Sequence, residues 1–130
     1  MSKKYWEAQE KPSYQASIEE NNTNNGFPAF SFTYLDKDFS FKHCTNEEKD
    51  ALLKRLEIMS KMTWNDIINT PKHGNGIENI NELKDKLPPK WKGTTPKAFR
   101  FYGMKPVIGV RDGRIFHIIW IDREGKLYKH

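Results

Sequence analysis

The sequence predicts an α+β fold in which two or three helices pack on one face of an antiparallel sheet of four to five strands. The middle of the chain has apolar residues at helical spacing behind a capping motif. Residues 97–130 instead have short apolar stretches separated by glycine turns, which is typical of strands. A chain of 130 residues suffices for one domain with one core. We predict a flexible arm at residues 1–29 and a single domain at 30–130.

The arm prediction depends on composition, because residues 19–26 have no apolar periodicity and many turn formers. Aromatic and aliphatic side chains upstream could dock on the body or on a partner. Residues 30–44 then alternate aromatic and polar side chains around a turn at residues 36–38. The alternation in residues 30–44 predicts a pair of strands with one aromatic face and one polar face.

Three helices are predicted between residues 45 and 87. Thr45 and Glu48 have the spacing of a capping box and mark the start of the first helix. Apolar residues follow it at a helical period: Leu52, Leu53, Leu56 and Met59. Thr63 marks the start of a second helix, and residues 77–87 are predicted as a third helix that ends before Pro88.

Residues 97–130 predict three antiparallel strands, and Asp112-Gly113 is the strongest hairpin signal in the chain. A two-residue loop at this point would place Arg111 opposite Arg114. Two adjacent guanidinium groups would either bind an anion such as phosphate or lie in water at the hairpin tip. The same register puts one set of side chains on the face that we expect the helices to cover: Ile108, Val110, Ile115, His117, Ile119 and Ile121.

Charge and motifs limit the function classes. The net charge is +5, and residues 84–130 contain twelve Lys and Arg against four Asp and Glu, which indicates either a polyanion-binding surface or a solvated face. The single cysteine, Cys44, excludes an internal disulfide, and it could be a reactive thiol or a small core residue. No apolar run is long enough for a membrane helix, so we expect a cytoplasmic protein that binds no membrane. No metal or cofactor motif is present, so we expect no cofactor.

The C-terminal third resembles the RelE/ParE-like toxins of bacterial type II toxin–antitoxin systems. Residues 98–109, 112–113 and 122–128 carry the resemblance: a basic strand, a glycine turn, a second strand, an acidic turn, an Ile-rich strand, then a basic residue and a tyrosine. The resemblance implies an mRNA endoribonuclease that acts on the ribosome through a 2′,3′-cyclic phosphate. The resemblance also implies two kinds of partner: RNA or the ribosome as the target, and a cognate antitoxin or other protein.

The resemblance implies catalytic roles for Arg100, Arg123 and Tyr128, to which the sequence adds His130 as a possible acid or base at the chain end. Basic residues nearby are candidate nucleic-acid contacts: Lys105, Arg111, Arg114, Lys126 and Lys129. The chain departs from the family pattern at Pro106, where many members have an arginine. This departure keeps an alternative open, a non-enzymatic phage or mobile-element protein with a basic face that binds or inhibits a partner.

Overall fold

Five strands form one mixed sheet in the order β1-β5-β4-β3-β2. The structure is a computed structural model that describes residues 23–71 and 76–128. The strands are β1 (Ala29–Ser31), β2 (Glu78–Asn79), β3 (Lys97–Tyr102), β4 (Lys105–Asp112) and β5 (Ile115–Ile121). Strand β1 runs parallel to β5, and the other neighbours are antiparallel. The predicted fold class is confirmed.

Two helices cover one face of the sheet. Helix α1 (Asn46–Ser60) starts at the predicted capping box, and helix α2 (Trp64–Ile68) starts at a second box formed by Thr63 and Asp66. Their buried side chains pack on strand residues of the same face: Leu52, Met59, Trp64 and Ile67 against Phe99, Phe101, Val107, Phe116, Ile118 and Ile121. Burial of each large apolar side chain contributes roughly 1.5–3 kcal/mol, so this layer holds the helices on the sheet.

The predicted three-stranded segment is present, but its hairpin register differs from the prediction. Arg111 pairs with Phe116 and Asp112 with Ile115, so the loop is Gly113-Arg114 rather than Asp112-Gly113. Gly113 has φ +64°, a conformation that glycine adopts without strain. The predicted pairing of Arg111 with Arg114 is therefore wrong.

The face assigned to the helices is also wrong. Val110 and His117 share a face, as predicted, but that face lies opposite the helices. A bulge in β5 places Ile119 and Trp120 together on the face opposite the helices. Ile121 therefore lies on the face that the helices cover.

Residues 30–44 do not form the predicted strand pair. In this segment only β1 is a strand. It pairs with β5, which lies more than eighty residues later in the sequence. Two 3₁₀ turns follow, Lys37–Phe39 and Phe41–His43. Asp36 starts the first turn by accepting the Asp38 amide and also accepts a bond from Trp120 Nε1 at 3.3 Å.

Residues 77–87 do not form the predicted third helix. Strand β2 pairs with Lys97 and Ala98 at the edge of the sheet. The chain then covers the second face, where its apolar side chains pack against the sheet: Ile80, Leu83, Leu87 and Trp91. Their spacing resembles a helical period and explains the helix prediction. Their side chains are nevertheless buried by the sheet without forming a helix.

The predicted arm lies for the most part outside the described residues. Its described part, residues 23–29, packs on the hairpin with Thr23 and Pro28 buried. Within the described residues, neither helix is long and apolar enough to cross a membrane.

Candidate functional site

A cleft of about 340 Å³ opens between the two 3₁₀ turns and the C-terminal end of β5. We call it the His43–Arg123 cleft. Its lining residues are Asp38, Phe39, His43, Ile121, Asp122, Arg123, Glu124 and Lys126. Arg123 and Lys126 are among the candidate residues that the sequence predicted. The opposite wall of the cleft comes from residues 37–43, which lie in the segment predicted as a strand pair.

Arg123 is held in place by a buried carboxylate. Its Nε donates to Glu48 Oε1 at 2.6 Å, and the Lys105 ammonium contacts Glu48 Oε2. The Thr45 amide also donates to Oε1, at 2.8 Å, as part of the α1 capping box. The Glu48 side chain is only 2% exposed. The capping box therefore has a second role, because the same carboxylate orients a cation at the cleft.

Electrostatics keep both partners charged. Burial alone would raise the pKa of Glu48, but the hydrogen bonds from Arg123 and Lys105 outweigh burial and lower that pKa to about 2. The hydrogen bond to Glu48 in turn raises the pKa of Arg123. Arg123 is about one-third exposed, so a fixed guanidinium faces the cleft.

His43 supplies a titratable group to the same cleft. Its Nε2 lies 3.0 Å from the Lys37 carbonyl oxygen. Because a carbonyl only accepts, Nε2 carries the proton in this contact, and Nδ1 is the acceptor of the neutral ring. Sequence reasoning missed His43 as a site residue, since nothing local shows that the 3₁₀ turns bring it to Arg123.

Beside Asp38, the lining includes the carboxylates of Asp122 and Glu124 and the ammonium group of Lys126. Asp122 is fully buried, and its Oδ2 accepts the Leu127 amide at 2.9 Å. Its Oδ1 is buried without a hydrogen-bond partner in the described part of the chain. Lys126 pairs with Glu124 at 3.0 Å, and its Nζ lies 5.8 Å from the centre of the Phe39 ring. The cleft thus combines cations with acid–base groups.

Tyr128 and Arg100 lie in a different cluster from Arg123. The Tyr128 hydroxyl donates to Glu78 Oε2 at 3.0 Å, and the side chain is 5% exposed. Burial and the neighbouring Glu78 raise the pKa of Tyr128, an effect that the nearby charge of Arg100 opposes. His130 and Lys129 lie outside the described residues.

Arg111 stands against Trp64 rather than beside Arg114. Its guanidinium carbon lies 4.1 Å from the centre of the Trp64 ring, and Nε donates to the Gly113 carbonyl at 2.7 Å. Arg114 is exposed at the hairpin loop, where its carbonyl accepts the Trp64 indole N–H at 3.0 Å. These contacts separate the two arginines that the sequence register had paired.

A second cleft, of about 240 Å³, lies beside Arg111 and is lined by Thr23, Asn24, Lys97, Arg111 and Gly113. A third, of about 290 Å³, is an apolar groove along α1, lined by Phe32, Phe41, Lys49, Leu52, Leu53 and Leu56. Phe32 and Phe41 pack edge to face in it, 5.7 Å between ring centres, and both are 43% exposed.

Cys44 lies in the core beside the Glu48 cluster. Burial and the Glu48 charge raise the pKa of its thiol, so it packs as a small apolar residue. In residues 23–71 and 76–128, no group of three or more His, Cys, Asp or Glu side chains could hold a metal ion.

No protein-family model matches the chain, and no curated protein or solved structure is significantly similar to it. Its function must therefore be inferred from the residues and their geometry.

Proposed function

We propose that the protein is a RelE-like toxin that acts in the cytoplasm and cleaves mRNA on the ribosome, with the His43–Arg123 cleft as its catalytic site. The observation that carries this proposal is that a titratable imidazole and a guanidinium fixed by a buried carboxylate line one cleft. The order of elements supports it too, because a strand, two helices and antiparallel strands follow one another as the resemblance implies.

Cleavage through a 2′,3′-cyclic phosphate requires three kinds of group. A base takes the proton of the 2′-hydroxyl, whose oxygen forms a bond to phosphorus, and an acid gives a proton to the leaving 5′-oxygen as its bond to phosphorus breaks. A cation stabilises the charge that develops on the phosphorane oxygens. The cleft contains candidates for each: His43 and the carboxylates of Asp38 and Glu124 for proton transfer, and Arg123 for the charge.

His43, rather than Tyr128, transfers the proton in this site. The raised pKa of Tyr128 and its hydrogen bond to Glu78 disfavour the phenolate that a base would need. The imidazole of His43 is exposed, and its Nδ1 is available when the ring is neutral. Arg100 lies near Tyr128 and does not line the cleft, so we assign it no catalytic role.

The test is inducible expression in bacteria with primer extension on abundant transcripts. We expect wild type to arrest growth and to create new 5′ ends, and we expect His43→Ala and Arg123→Ala to reduce cleavage at least ~100-fold. Lys61→Ala removes an exposed cation outside the cleft and serves as a control with undiminished cleavage. Normal growth and intact transcripts with folded wild-type protein would rule the proposal out.

The apolar groove favours a second candidate, the non-enzymatic binding protein. Exposed Phe32, Phe41 and Leu53 form a surface suited to an apolar segment of a partner protein. This candidate requires a stable complex and unchanged RNA. Leu53→Asp should then abolish the complex, whereas His43→Ala should leave it intact, as measured by co-purification with the identified partner.

A further inference from the structure

A second cationic cleft lies at the hairpin end of the sheet, on the face that the helices cover. Lys97 pairs with Gly109 across β3 and β4, and Arg111 is two residues further along β4. Side chains two residues apart on a strand share a face, so Lys97 and Arg111 are diagonal neighbours. Thr23, Asn24 and Gly113 complete the lining of this Lys97–Arg111 cleft.

The two cations have only neutral partners in the described part of the chain. Lys97 Nζ donates to Asn79 Oδ1 at 2.5 Å. Arg111 donates to the Gly113 carbonyl, to Thr23 Oγ1 at 3.1 Å and to Asn24 Oδ1 at 2.6 Å. Asp112, the carboxylate nearest to Arg111 in sequence, lies on the other face of β4. Burial lowers the pKa of His117 on that face, and the charge of Asp112 partly opposes this effect.

Both cations are partly buried, and this is costly without an anion. Burial lowers the pKa of Arg111, and burial together with the Arg111 charge lowers the pKa of Lys97. Arg111 is nevertheless fixed, because Trp64 stacks on its guanidinium and its Nε and Nη2 are bonded. The remaining amino group, Nη1, makes no hydrogen bond within the described residues and can donate to a ligand.

We propose that the Lys97–Arg111 cleft binds a phosphate group. A tetrahedral anion would neutralise two partly desolvated cations at once and accept bonds from the free Nη1 and from the Lys97 ammonium. The cleft's volume of about 240 Å³ accommodates such a group with its water. The phosphate belongs either to a small molecule or to an RNA backbone. The site is separate from the His43–Arg123 cleft and does not depend on cleavage.

The experiment is a titration of the ¹⁵N-labelled full chain with sodium phosphate, followed by amide chemical shifts at constant ionic strength. We expect saturable shifts at Asn24 and Gly113 that sodium chloride does not cause. Lys97→Gln should weaken binding about tenfold, because it removes one of two charges on the anion. Lys54→Gln, which removes an exposed lysine of α1, should bind as wild type does.

Two further arms keep the result unambiguous. Arg123→Ala should leave the shifts at Asn24 and Gly113 unchanged, which separates this site from the proposed catalytic cleft. A 2′-O-methyl oligonucleotide that resists cleavage identifies the source: tighter binding than phosphate assigns RNA, and equal binding assigns a small phosphate. The absence of saturable shifts, or equal affinity in Lys97→Gln and Lys54→Gln, would overturn the site.

Discussion

The two cation clusters of this protein contain the same kinds of residue in opposite electrostatic situations. Lys105 and Arg123 share the carboxylate of Glu48, which is buried at the start of α1. Within the described residues, the hydrogen-bond partners of Lys97 and Arg111 are instead neutral hydroxyl, amide and carbonyl oxygens. In the first cluster a buried carboxylate offsets part of the positive charge and fixes both cations, whereas the second cluster has no carboxylate partner within the described residues. Net charge alone does not distinguish them.

The difference originates in secondary structure. Glu48 is the third residue of α1, where a carboxylate accepts a backbone bond at the helix start and interacts favourably with the helix dipole. Lys97 has no acid beside it in the sheet, because its partner on β4 is Gly109 and its partner on β2 is Asn79. A side chain at Gly109 would collide with the His117 carbonyl and the Phe116 ring, so that position cannot carry a carboxylate.

Among these variants, Glu48→Gln should cause the largest loss of unfolding free energy. It keeps the shape but leaves Lys105 and Arg123 without their shared anion, and we expect unfolding free energy to fall by roughly 2 kcal/mol. Glu57→Gln is the matched control, since Glu57 forms an exposed pair with Lys61 on the same helix and should cost at most about 0.5 kcal/mol. Urea unfolding followed by circular dichroism measures both, and equal losses would contradict the special role of Glu48.

The Glu48 contribution should also depend on pH in a defined direction. Its pKa is lower in the folded protein, about 2, than the ordinary value of 4.5. The stabilisation is therefore complete above about pH 4.5 and is lost as the pH falls toward 2. The stability difference between wild type and Glu48→Gln should shrink across this interval in urea unfolding curves. A difference that stays constant from pH 6 to pH 2.5 would show that the charge of Glu48 is not its source.

The smallest expected effect is a contrast between two lysines. Lys105→Gln should destabilise the fold by about 1 kcal/mol, because it removes a charged partner of buried Glu48. Lys97→Gln should be neutral or stabilising by about 0.5 kcal/mol in phosphate-free buffer, since it relieves a partly buried like-charge pair. Thermal melts of both variants test the contrast, which fails if Lys97→Gln is the more destabilising change.

Local patterns predicted the elements that depend on local contacts. The capping box at Thr45 and Glu48 correctly marked the start of α1, and the glycine turns correctly separated β3, β4 and β5. The hairpin register was missed because the Asp112-Gly113 motif is local, whereas the position of Arg111 is set by Trp64 from a helix far away in sequence. Tertiary contacts decide between two loops that are locally acceptable.

The candidate site was only half predictable. Arg123 and Lys126 follow β5 in the basic C-terminal third and could be read from the chain. His43 reaches them because β1 pairs with β5 in parallel and the chain then bends through two 3₁₀ turns, and neither feature has a local signal. The edge strand β2 has the same origin, since its two residues become a strand only when Lys97 and Ala98 are beside them.

The parallel pairing of β1 with β5 also has a consequence for how the chain folds. Ala29 and Ile115 are neighbours although more than eighty residues separate them, so closing this contact carries a large loop entropy and a high contact order. The antiparallel strands β3 to β5 close short loops and should form first. Until β1 arrives, the apolar strand β5 presents an unpaired edge that other chains could join. In the folded protein, residues 29–31 cover this part of the β5 edge, and Phe30 packs against Phe99 and Phe116 in the core.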